Sequence, residues 1–330
     1  MTRLTNWVRL VLPGLLLSAT IALAVRFISD RLGGPAMLYA LLFGMAFNFL
    51  SNDERFAQGI QFASRNVLRV GVALLGLRIS TSDVMDLGWQ VLALVGVGIV
   101  ATVVFGTLIG RLLGLKSDQS VLSAGAVAIC GASAALAIAA VLPSHKDHER
   151  NTVLTVVGVT ALGTIAMIFY PLFVTFLGYD NTTAGVFLGA TIHDVAQVVG
   201  AGYIISDETG EVSTLVKLLR VSFLVPVVIV ISLIMRRGRF ESTERRSFLP
   251  WFLVAFVVLV LMNSFGFIPA AAHTILTPVS SWCLLAAVAA IGVKTSLESF
   301  LEVGPAPMAA MLLQTIFLAL FAIGGIALIG

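Results

Sequence analysis

The sequence predicts an all-α polytopic membrane protein with about 9–11 transmembrane helices, an inverted repeat, and one or two broken or re-entrant helices. Three observations predict it. Hydrophobic residues make up 58% of the 330-residue chain and charged residues 11%, where a soluble domain carries about 25% charged residues. Apolar runs near the roughly 20 residues that a bilayer-crossing helix needs recur from one end of the chain to the other, in keeping with a mean hydropathy of +1.03. A short sequence pattern from the first quarter of the chain returns near its end.

The runs are 10–27, 35–50, 60–78, 88–113, 121–142, 152–177, 184–204, 214–236, 249–268, 278–295 and 305–329. Their connections are short, so 1–330 reads as a single transmembrane transporter domain. The first run carries no small-residue cleavage pattern and more spans follow it, so it is a helix rather than a cleaved signal. Basic residues gather in loops, which is membrane topology and not a nucleic-acid patch. The densest cluster, Arg236 to Arg246, is assigned to the cytoplasm. Counting back, the 205–212 loop and Arg26 to Arg31 become periplasmic, Arg111 and Lys116 stay inside, and the N-terminus is cytoplasmic. The chain is thus expected as a multi-pass protein of the cell inner membrane. One loop resists: His145, Lys146, His148 and Arg150 fall outside if 121–142 crosses fully. If 121–142 and 184–204 are both re-entrant hairpins, that loop falls inside and every other assignment survives. Eleven crossings, or nine crossings plus two hairpins, both fit.

Gly76-Leu77-Arg78-Ile79-Ser80, followed by Asp86-Leu87-Gly88, recurs as Gly292-Val293-Lys294-Thr295-Ser296, followed by Glu302-Val303-Gly304. A strongly apolar helix follows each copy. An odd number of crossings separates the two, so they run in opposite senses, and inverted repeats are a signature of secondary transporters. The boundaries are placed at about 35–178 and 184–330.

Polar residues within the spans mark the candidate site. An uncompensated charge at mid-bilayer costs roughly 2.5–3.5 kcal/mol on insertion scales, so it persists where it faces a cavity or a partner. Gly185, Gly189, His193 and Gln197 lie four apart on one helical stripe, with Thr191 and Asp194 beside them. Packing against a neighbouring helix is the alternative for His193 and Gln197. The run 125–139 is interrupted at Cys130-Gly131-Ala132-Ser133, where a break would offer the N–H groups of a new half-helix to an anion. An unbroken helix using Gly131 for packing is the alternative there. Lys217 and Arg220 share one helical face in a span kinked by Pro226; both could snorkel, and Arg220 could meet substrate. Arg65, Arg69 and Asn48 read as entry or packing residues. Cys130 and Cys283 sit in apolar segments without a disulfide or zinc pattern.

Taken together, the Ala128-Ile129-Cys130-Gly131-Ala132-Ser133-Ala134, Gly189-Ala190-Thr191-Ile192-His193-Asp194-Val195-Ala196-Gln197-Val198-Val199 and Val216-Lys217-Leu218-Leu219-Arg220-Val221 strings resemble the YeiH-type inner-membrane proteins of bacteria, a family named for an inferred role in sulfate export. The resemblance runs from about residue 10 to the end. It implies a fold near the bile-acid and arsenite transporter group. The sodium-site glutamate and asparagine of bile-acid carriers have no clear counterpart here, so sodium coupling is not implied.

The combined expectation is a secondary transporter, acting as an exporter, for a small anion such as sulfate, sulfite or a sulfonate. Cys130, Gly131, Ala132, Ser133, Thr191, Gln197, Lys217 and Arg220 are the expected substrate-binding residues. His193 and Asp194 are the expected proton-coupling pair, since histidine titrates near ~6.5 and a buried carboxyl can be shifted toward neutrality. The expected partners are the anion and the lipid bilayer, without nucleic acid, cofactor or metal; a homo-oligomer is left open. A cation/proton antiporter using Asp194 is the alternative. An intramembrane enzyme would need a nucleophile and base at workable spacing, HExxH or a phosphate loop, and the sequence has none of these. A channel is the remaining class.

Overall fold

A computed structural model describes residues 2–33, 35–51, 53–143, 147–236, 251–295 and 304–329. The helices in chain order are α1 (Thr2–Leu32), α2 (Ala36–Ala46), α3 (Glu54–Phe62), α4 (Leu68–Leu75), α5 (Thr81–Asp86), α6 (Gly88–Leu112), α7 (Ser117–Ala128), α8 (Ala132–Ala139) and α9 (His148–Phe176). They continue as α10 (Asn181–Thr191), α11 (Val195–Ile205), α12 (Asp207–Ser222), α13 (Leu224–Arg236), α14 (Trp251–Ser264), α15 (Ala270–Lys294) and α16 (Pro305–Ile329). Among the described residues there is no strand. Among the same residues six helices, with α12 and α13 taken as one, are long and apolar enough to cross a membrane. Their outward faces agree: Val97, Val100, Val104 and Leu108 form an exposed stripe along α6, where a water-soluble helix would be polar. The all-helical polytopic class is therefore the observed one.

All eleven expected runs fall on helices, but several boundaries differ. Helix α1 already runs to Leu32, so Arg26 to Arg31 is helical and not a loop. The expected 205–212 loop is a tight turn. Ser206 Oγ accepts the Thr209 N–H at 3.0 Å, capping a helix that starts at Asp207, seven residues before the expected Thr214. The expected kink at Pro226 lies at Phe223 instead, because Pro226 cannot donate to the carbonyl of Ser222, and Phe223 N–H turns to Arg220 O. A π-helical segment over Ala63–Val67 joins α3 to α4, so residues before and after it do not keep one 3.6-residue stripe. Arg69 lies over the Phe252 ring, 5.9 Å from its centroid. The Arg237–Arg246 cluster and the Ser296–Val303 part of the second pattern lie outside the described residues.

The described chain resolves into two compact units: Met1–Asp86, Val199–Thr214 and Trp251–Ser296 in unit 1, and Leu87–Val198, Leu215–Pro250 and Leu297–Gly330 in unit 2. In unit 1, α15 packs on α2 and α4, and α14 packs on α4. A Cβ on Gly76 would meet the Phe256 carbonyl, and one on Gly292 would meet the Leu41 carbonyl. Asn48 Nδ2 donates to Val293 O at 2.8 Å, which satisfies a carbonyl near the end of α15.

In unit 2, α6 packs on α7 and on α16, with Phe105 and Phe317 stacked at 4.2 Å. Helix α8 folds back along α7. Ile138 lies against the bare face of Gly125, and Lys116 Nζ meets Asp147 Oδ2 at 2.9 Å. A straight helix would separate residues 125 and 138 by about 20 Å at 1.5 Å per residue. The expected run 121–142 is thus a helical hairpin whose two ends lie together.

Candidate functional site at two broken helices

The turn of that hairpin is Ile129-Cys130-Gly131. Gly131 has φ 62°, ψ −125°, a conformation that L side chains resist and glycine adopts freely. Its N–H returns to Ala126 O at 2.8 Å, and α8 begins at the next residue. As the sequence predicted, the break falls at Cys130–Gly131. Cys130 is buried, Ala132 half-buried and Ser133 exposed. The first N–H groups of α8 have no acceptor within their own helix, and Gly131 offers no capping side chain.

A second break separates α10 from α11. Thr191 Oγ1 donates to Phe187 O at 2.6 Å, and Ile192 is extended at φ −64°, ψ 142°. Asp194 Oδ1 accepts the Ala196 N–H at 2.8 Å and caps α11. The breaks abut: a Cβ on Gly131 would lie 3.5 Å from His193 Cβ.

Lys217 and Arg220 are completely buried, and both serve the broken ends. Lys217 Nζ donates to Ile129 O at 2.7 Å and Ile192 O at 2.8 Å. Arg220 Nε donates to Ala128 O at 2.7 Å, Nη1 to Ile192 O at 3.2 Å, and Nη2 to Val127 O. These carbonyls end α7 and α10, where each helix carries its partial negative charge. Neither base snorkels. Two cations meeting helix C-termini are stabilised there by charge-assisted hydrogen bonds and hold the two breaks together.

Gln197 is committed as well. Its Nε2 donates to Thr160 O at 3.0 Å and Thr164 Oγ1 at 3.3 Å, while Oε1 accepts Asp194 N–H at 3.3 Å. Its amide fits because Gly163 has no side chain beneath it. Of the expected substrate donors, Gln197 and Thr191 thus spend their hydrogens on backbone and α9, whereas Ser133 lies open at a helix start.

His193 is buried, with Nε2 2.9 Å from Thr315 Oγ1. The Thr315 hydroxyl also lies 2.8 Å from Met311 O; with its hydrogen on that carbonyl, Nε2 is the donor and carries the ring proton. Nδ1 is then a buried acceptor without a partner among the described residues, as are Gln314 Oε1 and the Thr102 hydroxyl. Thr315 and Gln314 escaped the sequence reading. Their signal was an adjacent polar pair in the otherwise apolar Met311–Phe321 stretch, which a search for ionisable residues alone passes over.

Residues 13–311 match the family described as Conserved hypothetical protein 698. The UPF0324 membrane protein CT0845 of Chlorobaculum tepidum is 50% identical over 95% of this chain and 88% of its own length. The UPF0324 membrane protein TauZ of Paracoccus denitrificans is 50% identical over 96% of this chain and 95% of its own. UPF0324 membrane protein RB0971 of Rhizobium meliloti is 48% identical over 96% and 93%. No solved structure matches. Relatives named as membrane proteins match the chain along nearly its whole length, in agreement with the sequence resemblance: the chain belongs to the UPF0324 family of membrane proteins.

Proposed function

We propose that this protein is a secondary transporter of a small oxyanion, with sulfate, sulfite and small sulfonates as the substrate class, acting as an exporter in the cell inner membrane. The observation that carries the reading is the meeting of two broken helices, Gly131 against His193, in an apolar unit with Lys217 and Arg220 buried beside them. Broken helices that meet within a bundle are how transporters present half-helix ends to an ion. Two buried bases face one carboxylate, Asp194, so the local charge balance favours an anion over the cation of an antiporter. Oxyanion oxygens would accept from the start of α8 and from Ser133. Lys217 and Arg220 supply field and hold the frame, while His193 Nδ1 and the free oxygen of Asp194 are the proton-coupling groups.

Two further observations support an inverted, hairpin-containing topology. With the ends of α7–α8 together, His148 and Arg150 share the side of Lys116, in keeping with the positive-inside rule. Lys217 and Arg220 lie level with the breaks, and Ile231 of α13 lies near Gly125 of α7. We read α10–α11 as the second hairpin, which gives nine crossings. Gly76 and Gly292, the first residues of the repeated pattern, each admit a neighbouring helix carbonyl in the same way, which supports the repeat.

Flux in proteoliposomes loaded with sulfate, sulfite, taurine or sodium, with and without a pH gradient, tests the reading. Saturable movement of a sulfur oxyanion is the expected result. Movement of sodium alone would establish the antiporter, and no flux of any of them would overturn the assignment.

A further inference from the structure

Unit 1 contains a cavity of about 710 Å³ whose lining comes entirely from that unit. The volume falls in the range of about 300–1,000 Å³ typical of small-molecule pockets. Its wall includes Arg26, Arg78, Tyr203, Asp207, Ser281 and Trp282. Nothing in the transport reading uses it.

The local sequence explains how two of these side chains are set. Arg78 leaves the end of α4 in a turn, and its guanidinium is held by Glu211 Oε1 at 3.4 Å through Nη1 and by Ser281 Oγ through Nη2. Those two bonds orient the plane and leave Nε over. Nε is buried and has no acceptor among the described residues. Tyr203 is on the last turns of α11, its ring seated on the bare backbone of Gly210 across the Ser206 turn. Its hydroxyl is likewise buried and without a partner. Native proteins leave few such groups unpaired, and each one calls for an explanation.

We infer that this cavity is a binding site for a small zwitterion, an amino acid or aminosulfonate, whose acid group accepts from Arg78 Nε and the Tyr203 hydroxyl while its ammonium faces Asp207. The charge balance selects that class. Arg26 is paired with Asp30 at 3.1 Å and Arg78 with Glu211, and Asp207 adds a carboxylate to the same wall. A bare dianion would meet too little net positive charge, and a simple cation would leave both spare donors unmet. A molecule carrying both signs at opposite ends meets each. Ser281 and the indole of Trp282 complete a wall suited to a short polar chain.

The site goes beyond the transport reading and stands apart from the residues on which that reading rests. Purified full-length protein in nanodiscs, titrated calorimetrically, tests it with β-alanine and taurine as zwitterions, ethanesulfonate as acid alone, ethylammonium as base alone, and sulfate. Saturable binding of a zwitterion that Tyr203→Phe and Asp207→Asn both weaken is expected, whereas sulfate or ethanesulfonate held at the transport site is unmoved by either variant. Tyr203→Phe should weaken it about 10-fold, the worth of one hydrogen bond to a charged group, without lowering the melting temperature, since the hydroxyl bonds nothing in the fold. Asp207→Asn should weaken zwitterion binding and leave ethanesulfonate unaffected. Arg78→Gln should abolish binding; because it also removes the bond to Glu211, Tyr203→Phe and Asp207→Asn decide if that variant does not fold. Absence of saturable zwitterion binding, or binding indifferent to both Tyr203→Phe and Asp207→Asn, overturns the site. Zwitterion binding weakened by both variants, with no flux, would uphold this site while defeating the transporter, and flux together with binding indifferent to both variants would do the reverse.

Discussion

Lys116 and Asp147 are joined by an ion pair of 2.9 Å although 31 residues separate them, and that contact ties together the two ends of the α7–α8 hairpin. With Cys130 and Cys283 replaced, Lys116→Cys and Asp147→Cys in one chain should cross-link with a short bifunctional thiol reagent. An impermeant thiol reagent added outside intact cells should leave Lys116→Cys and Arg150→Cys unmodified and label Glu208→Cys. Thr209, in the same 205–212 stretch, is fully buried and is a poor reporter. Labelling of Arg150→Cys from outside would show that 117–142 crosses.

Gly131 is held at a positive φ against His193. Gly131→Ala should cost roughly 1–3 kcal/mol of stability through backbone strain, measured as thermal unfolding in detergent. Gly131→Leu should also abolish transport by filling the approach to α8. Cys130→Ser keeps the turn and should retain most activity; full transport by a folded Gly131→Leu protein would remove the break from the mechanism.

Arg220→Met leaves the Val127 and Ala128 carbonyls without their donor, at about 1–3 kcal/mol each. Thermal stability and transport should both fall. Arg150→Gln, on an exposed residue, should stay within about 0.5 kcal/mol. Arg220→Lys should recover part of the loss, and a full recovery of transport would mean that field matters more than the forked geometry.

His193→Gln keeps a donor toward Thr315 and removes titration. Transport measured from pH 5.5 to 8.5 should lose its pH dependence while substrate binding persists. A folded, active variant with an unchanged pH profile would leave His193 as packing and shift the proton to Asp194.

At the start of α3, the Arg55 side chain and N–H hold the Asp53 carboxyl down at about 2, below its ordinary 3.8. A lowered folded value means that the cap contributes fully above the ordinary carboxylate range and is lost as pH falls through about 2. Protection of the Arg55 amide from exchange should therefore stay level from neutral pH down to about 4 and drop only in stronger acid. Asp53→Ala should remove it at every pH.

How much of this was legible in the sequence varies by level. Apolar run length placed all eleven helical segments, because a bilayer sets a minimum length for any span. The break at Gly131 was legible because glycine interrupts an otherwise helix-forming run there. The shift of the Pro226 kink to Phe223 was not, since proline acts through the carbonyl four residues earlier. Spacing put Lys217 and Arg220 on one face but left their partners open. Those partners are carbonyls at 127–129 and 192, and backbone acceptors carry no residue-specific mark. The unpaired donors of Arg78 and Tyr203 were equally hidden, because 124 residues of chain lie between them.

The sequence by itself determined the membrane class, the apolar helical runs, the family resemblance and the polar residues that an apolar bilayer makes costly. Only the tertiary structure decided that 117–142 folds back, that two buried bases cap helix ends, and which polar atoms remain unmatched. The physical reason is that hydrophobicity and helix period are summed over local segments, whereas hydrogen-bond satisfaction is settled between backbone and side-chain atoms brought together from distant parts of the chain.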